Sequence, residues 1–121
     1  MLQIQDVLQG FEPKTFLLHS SGAETATGNS ADVDVSKWTS AIFYLDVTAA
    51  SGASPTLDVT IRGYDPVGND YYTIVTFTQR VGTGTERIAL ALLLDHTIDA
   101  LWTIGGTTPS FTFSLNAVLK R

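Results

Sequence analysis

The sequence predicts an all-β protein: a single antiparallel β-sandwich, jelly-roll-like, with about eight strands. Three observations point there. Apolar and polar residues alternate at period two in several separate stretches, as expected of half-buried strands. Clusters of Gly, Pro, Asn, Ser and Thr interrupt those stretches roughly every ten residues. No segment has the 3.6-residue periodicity of a long helix. With 121 residues, of which 44% are hydrophobic and 16% charged, the chain is sized for one core rather than two and is too apolar for a disordered segment.

In order along the chain, residues 1–13 lack the alternation. Leu2, Ile4, Val7, Leu8 and Phe11 suit one turn of amphipathic helix or an extended arm, which can dock on a neighbouring copy. Residues 14–121 are assigned to the sandwich. Residues 15–19 and 32–36 read as short strands joined by a mobile loop of small polar residues, 20–30. Residues 41–49 place Phe43, Leu45, Val47 and Ala49 on one face and Tyr44, Asp46 and Thr48 on the other. Leu57, Val59 and Ile61 alternate with Asp58, Thr60 and Arg62, and the intervening residues 50–55 read as a hairpin or a sheet-to-sheet loop. Residues 65–70 (Asp-Pro-Val-Gly-Asn-Asp) predict a tight hairpin into a strand over 71–79. After a break at 82–85, residues 86–94 read as a buried strand with Ile88, Leu90, Leu92 and Leu94 inward. Residues 100–104 end at a second Gly-Thr-Pro break, 105–109. The cleanest alternation follows: Phe111, Phe113, Leu115, Ala117 and Leu119 against Ser110, Thr112, Ser114, Asn116 and Val118.

Charge and composition exclude several functions. The net charge of −5 comes from 12 acidic and 7 basic residues, and the basic ones are scattered from Lys14 to Arg121 rather than clustered. Neither nucleic acid nor an anionic membrane surface is an expected partner. No apolar run approaches the roughly 18 residues of a spanning helix, and residues 1–6 lack a basic secretory n-region. Without cysteine there is no disulfide, thiol nucleophile or thiolate zinc site.

The residue types that catalysis needs are present but unpatterned. Ser20, Ser21, His19, Asp95 and His96 supply the ingredients of a triad, yet no G-x-S-x-G elbow accompanies them. Asp32-x-Asp34 places two carboxylates about 6–7 Å apart on one side of an extended segment. Alternating Asp on a solvated strand is the favoured reading there, since the full calcium loop is missing. Gly82-x-Gly84 and Gly105-Gly106 lack the Lys-Ser/Thr and opening helix of phosphate loops and read as sheet turns. Trp38, Tyr44, Tyr64, Tyr71, Tyr72 and Trp102 could stack on sugars, although strand aromatics more often fill cores or interfaces. The surface-contact candidates are Tyr44, Tyr64, Trp102 and Phe11; no catalytic, cofactor or metal residue is assigned.

Several strings resemble a known group. They are Val35-Ser36-Lys37-Trp38-Thr39-Ser40-Ala41, residues 45–52 (Leu-Asp-Val-Thr-Ala-Ala-Ser-Gly), Ser54-Pro55-Thr56-Leu57-Asp58-Val59, Tyr64-Asp65-Pro66 and residues 105–114 (Gly-Gly-Thr-Thr-Pro-Ser-Phe-Thr-Phe-Ser). Across residues 35–118 the chain is similar to small structural proteins encoded among the virion genes of tailed bacteriophages. The resemblance implies a non-enzymatic virion component without cofactor, assembled in the host cytoplasm: a capsid decoration or auxiliary head protein, or a neck or tail-attachment protein. Its implied partners are copies of itself, most simply a trimer, and the major capsid or another virion protein. The alternative expectation is a carbohydrate- or host-surface-binding module of a tail or neck, stacking its ligand on Tyr44, Tyr64 or Trp102.

Overall fold

The computed structural model describes residues 13–93 and 95–121. The expected N-terminal arm with Phe11, up to residue 12, and Leu94 at the end of the expected buried strand lie outside the described residues. Seven strands form among them: β1 (Lys14–Glu24), β2 (Gly28–Asn29), β3 (Val33–Asp34), β4 (Ser40–Asp65), β5 (Asp70–Thr76), β6 (Gly84–Leu90) and β7 (Thr97–Lys120). Every pairing is antiparallel. No described helix is long and apolar enough to cross a membrane.

The architecture follows from two long strands. β4 has 26 residues and β7 has 24, and they pair with each other from Ser40↔Lys120 to Gly63↔Ile98. Strands of that length cannot stay flat, because twist accumulates along them. Register shifts at Val47/Ala49, Ser51/Ala53 and Ala53/Thr56 fold the ribbon over on itself. Its first half, residues 40–50 with 110–120, gains β1 beyond β7 and β6 beyond β4. Its second half, residues 56–65 with 97–105, gains β5 beyond β4 and the short β2 and β3 beyond β7. Each layer is thus four segments wide when β2 and β3 count as one interrupted edge, which is the jelly-roll sandwich of the sequence expectation. At one end Lys14 of β1 lies opposite Leu119 of β7.

The core sits between the layers. Phe43, Leu45, Val47, Phe111, Phe113, Leu115 and Leu119 come from one layer, and Leu57, Val59, Ile61, Ile98, Ala100 and Trp102 from the other. Those from residues 43–47, 57–61 and 111–119 are the inward positions that period-two alternation assigns, whereas Ile98, Ala100 and Trp102 carry no inward assignment in the sequence reading. Two assignments shift. Ala49 is exposed because it follows the first register shift. Strand β6 stops at Leu90, so Leu92 is exposed and its neighbour Leu93 is buried instead, with its N–H donating to the Thr39 carbonyl.

Both predicted breaks in the long strands are bends in continuous strand. The sequence repeats Gly-x-Ser/Thr-Pro at 52–55 and 106–109, and the two copies face each other across Ala53↔Thr107. Gly52 and Gly106 have φ of 113° and 112°, and Ser54 and Thr108 have φ of 49° and 48°. A Cβ on Gly52 would stand 2.8 Å from the Thr108 carbonyl oxygen and 2.9 Å from Pro109 Cα; one on Gly106 would meet Ser54 and Pro55 at the same two distances. Each bend is therefore packed into the other, backbone against backbone.

Residues 20–24 are also strand rather than loop, because β1 continues along β7 to Glu24↔Phe111. Register shifts on both sides of His19 let consecutive residues Leu18 and His19 turn inward. The 65–70 hairpin forms as expected, with Asp65↔Asp70 paired, the Asp65 carboxylate accepting the Val67 N–H at 2.9 Å, and Asn69 at φ 56°.

Candidate functional site: an aromatic cleft beside β1 and β3

Phe16 shares the parity of buried Leu18 on β1, but near the strand's start it sits at the margin of the core. The turn after β3 brings Trp38 to it. Val35 N–H donates to the His96 carbonyl at 2.9 Å, Trp38 N–H to Val35 at 3.0 Å, and Thr39 N–H to Lys120 at 2.9 Å. The two rings meet edge to face, centroids 5.7 Å apart at 81°. Together with Lys14, Asp32, Val33, Asp34 and Lys37 they line a cleft of about 450 Å³. Lys14 Nζ lies 5.8 Å above the Phe16 ring.

One wall is braced from the second layer. Tyr71 on β5 donates its hydroxyl to both Asp32 oxygens, at 3.0 and 3.1 Å. The Arg62 guanidinium stacks 4.2 Å from the Tyr71 ring centroid. Arg62 faces Asp99 across β4 and β7 and binds it with two hydrogen bonds, Nε at 2.9 Å and Nη2 at 2.6 Å. Asp99 is wholly buried, and that fork gives each of its oxygens a hydrogen-bond donor. Tyr64 packs against Tyr71 at 4.9 Å and hydrogen-bonds Asn69.

Titration is perturbed in and behind this cleft. The hydroxyl and N–H of Ser36 hold the Asp34 carboxyl below the usual carboxylate range, with Ser36 N–H donating at 2.9 Å. The Asp99 hydrogen bonds raise Arg62. The hydrogen bond to Asp32 is the largest cause that pushes Tyr71 above the ordinary 10.0. The neutral phenol is the form that the fold favours, so its contribution to stability is present below pH 10.0 and fades as pH climbs past that value. Asp32→Asn is expected to move Tyr71 ionisation back down, read as phenolate ultraviolet absorbance in an alkaline titration; an unmoved curve would show that Asp32 does not govern it.

The surface-contact candidates do not assemble into one platform. Trp102 is 6% exposed and fills the core, because it lies on the inward parity of β7, so its expected role as a surface contact is corrected. Tyr64 is half-buried in the Tyr71 network. Tyr44 is 38% exposed on the outer face of the layer that holds β6, beside a smaller cleft of about 260 Å³ lined by Asp46, Thr85, Glu86 and Arg87 as well. The chemistry-bearing residues are likewise dispersed. His19 stacks on Phe113 at 4.1 Å, donates from Nδ1 to the Phe113 carbonyl at 2.9 Å, and places Nε2 2.9 Å from Glu24. His96 is exposed away from His19, beside the turn that carries Asp34, where, after the Ser36 hydrogen bonds, its charge contributes to lowering that carboxyl. Asp32 and Asp34 bind separate protein donors, and no group of three metal-binding side chains forms among the described residues. Phe16, Lys14 and Lys37 are cleft residues that no motif in the sequence marks. The one signal was a Trp flanked within six positions by two Asp and a Lys.

Fold and site together define a jelly-roll β-sandwich domain with an aromatic cleft between the β1 edge of one layer and the β3 edge of the other. No family model matches the chain, and no curated protein matches its sequence. Solved structures share the fold. The SPBc2 prophage-derived protein YomS is 9% identical over 91% of this chain and 94% of its own, with a TM-score of 0.52. The PBSX exported protein XepA is 11% identical over 88% of this chain, with a TM-score of 0.59, and the chain spans 37% of its length. The CBM36-1 domain of a multidomain xylanase from the hindgut metagenome of Trinervitermes trinervoides is 8% identical over 88% of this chain and 96% of its own, at a TM-score of 0.50.

Proposed function

We propose that the chain is a non-enzymatic structural protein of a bacteriophage virion, a capsid decoration or auxiliary head protein that acts through protein–protein contacts. The observation that carries this reading is the way the fold uses its reactive side chains. His19, Asp32, Asp34 and Asp99 are each engaged by the protein's own hydrogen bonds, spread over both layers, and serve to brace them. The likeness to prophage-derived YomS along nearly its whole length supports the same reading. Mass spectrometry and antibody labelling of purified particles test it: a fixed copy number on the head is the expected result, and absence from washed particles would reject it.

Self-association with a neighbouring copy through residues 1–13, most simply as a trimer, belongs to this reading. Sedimentation of the full chain is expected to give a higher mass than a variant lacking residues 1–13. Equal monomer masses would remove arm exchange from the proposal.

The second reading, a carbohydrate- or host-surface-binding module of a tail or neck, has its support in the Phe16–Trp38 cleft, with aromatic rings below and hydrogen-bonding side chains around its rim. A glycan array probed with the labelled protein is expected, on this reading, to return saturable binders.

A further inference from the structure

The geometry points to the Phe16–Trp38 cleft as a site for a neutral saccharide whose ring stacks on Trp38, an inference that rests on the second reading above and narrows its ligand class and stacking residue. Four observations converge. The cleft's volume of about 450 Å³ falls among small-ligand sites, which run from about 300 to 1,000 Å³. Its floor is aromatic, and the C–H face of a pyranose is the polar ligand surface that packs on an indole without losing hydrogen bonds. Its exposed lining residues are Asp32 and Asp34 as acceptors and Lys14 and Lys37 as donors. A hydroxyl is both donor and acceptor and can use all four. An anionic ligand would instead face two carboxylates, and a cationic one two ammonium groups.

The fourth observation is preorganisation. Asp32 accepts the Tyr71 hydroxyl on both oxygens, Tyr71 is stacked by Arg62, and Arg62 is fixed by buried Asp99. Asp34 is held by Ser36. A carboxylate has about four lone-pair sites, so each keeps acceptor capacity for a ligand hydroxyl while its position is already set. Ordering these side chains on binding therefore costs little. Nothing comparable surrounds Trp102, whose ring is enclosed by His19 and Phe113.

The two tryptophans make the test internal to one spectrum. Full-length protein labelled with ¹⁵N is titrated with neutral disaccharides (maltose, cellobiose, xylobiose and lactose), with glucuronic acid and glucosamine as charged controls. The Trp38 indole N–H is expected to shift saturably with at least one neutral sugar, at a Kd on the order of millimolar, while the Trp102 signal stays in place. Asp34→Asn and Lys37→Ala, both at exposed positions, are expected to weaken binding several-fold, and Trp38→Ala, which removes the reporter and is read by calorimetry, by about tenfold or more. An unchanged Trp102 signal certifies that each variant is folded.

The other outcomes overturn the proposal in distinguishable ways. Saturable glycan binding by calorimetry with a silent Trp38 signal leaves the carbohydrate-binding reading standing and removes this cleft from it. No binding of any sugar by either method removes both. A Trp38 response to glucuronic acid alone, lost in Lys37→Ala, shows an anion site instead. A Trp38 shift on deleting residues 1–12, with no sugar response before or after, assigns the cleft to the chain's own N-terminal segment.

Discussion

Gly52→Ala and Gly106→Ala are each expected to destabilise the fold by about 3 kcal/mol, lowering the thermal midpoint by roughly 10 °C, and by nearly the same amount as each other. Two costs add. At φ near 113° a side chain strains the backbone, about 1–2 kcal/mol. The new methyl group also presses on carbonyl oxygen and Cα atoms of the opposite bend at 2.8 and 2.9 Å, and backbone cannot swing aside as a side chain can. Gly82→Ala is the control. A Cβ there meets nothing within 4 Å, so its effect should stay within about 0.5 kcal/mol. Calorimetric melting of the three variants decides the matter: a Gly52→Ala protein as stable as Gly82→Ala would mean that the bends are not interlocked.

Arg62→Met should cost about 3 kcal/mol in urea unfolding, more than Asp99→Asn at roughly 1–2 kcal/mol. The asymmetry comes from exposure. The Asp99 side chain is 0% exposed and the Arg62 side chain 20%. Removing Arg62 strands a carboxylate in the interior, whereas removing the Asp99 charge leaves a guanidinium that still reaches water and the Tyr71 ring. Arg62→Met also takes the stacked cation off Tyr71 and so loosens the wall that holds Asp32. Equal losses in the two variants would show that Asp99 is not desolvated in solution.

Much of the fold was readable because burial in a sandwich imposes period two. The inward sets around Phe43, Val59 and Leu115 came from alternation alone, and the 65–70 hairpin from its Pro, Gly and Asn. What alternation cannot show is continuity. Residues 50–55 and 105–109 carry turn composition, yet both remain in strand because each supplies the other's pairing partner, a long-range fact with only the repeated Gly-x-Ser/Thr-Pro as a local trace. Residues 20–24 looked like loop for the same reason: small polar residues make an acceptable edge strand once residues 111–113 are there to pair with.

The candidate site was less legible. Trp38 and Asp32-x-Asp34 stood out in the sequence, but Phe16 reaches Trp38 only through the fold. Trp102 drew attention as a surface aromatic although its parity with Ala100 already placed it inside. Asp99 left a clearer trace that went unused. A lone carboxylate between Ile98 and Ala100 in a buried strand requires a cation opposite, and Arg62 supplies it from the neighbouring strand.

The adjacency of Lys14 and Leu119 has a mechanical consequence. Tension applied across those two positions peels β1 from β7 one hydrogen-bonded pair at a time, starting at the outermost rung. Load applied instead along β4 and β7 is shared by the whole ladder between them and meets the wedged corners at Gly52 and Gly106. On this pairing the domain is expected to yield more readily at that rim than along its spine, so the direction of pull should decide how much force it withstands.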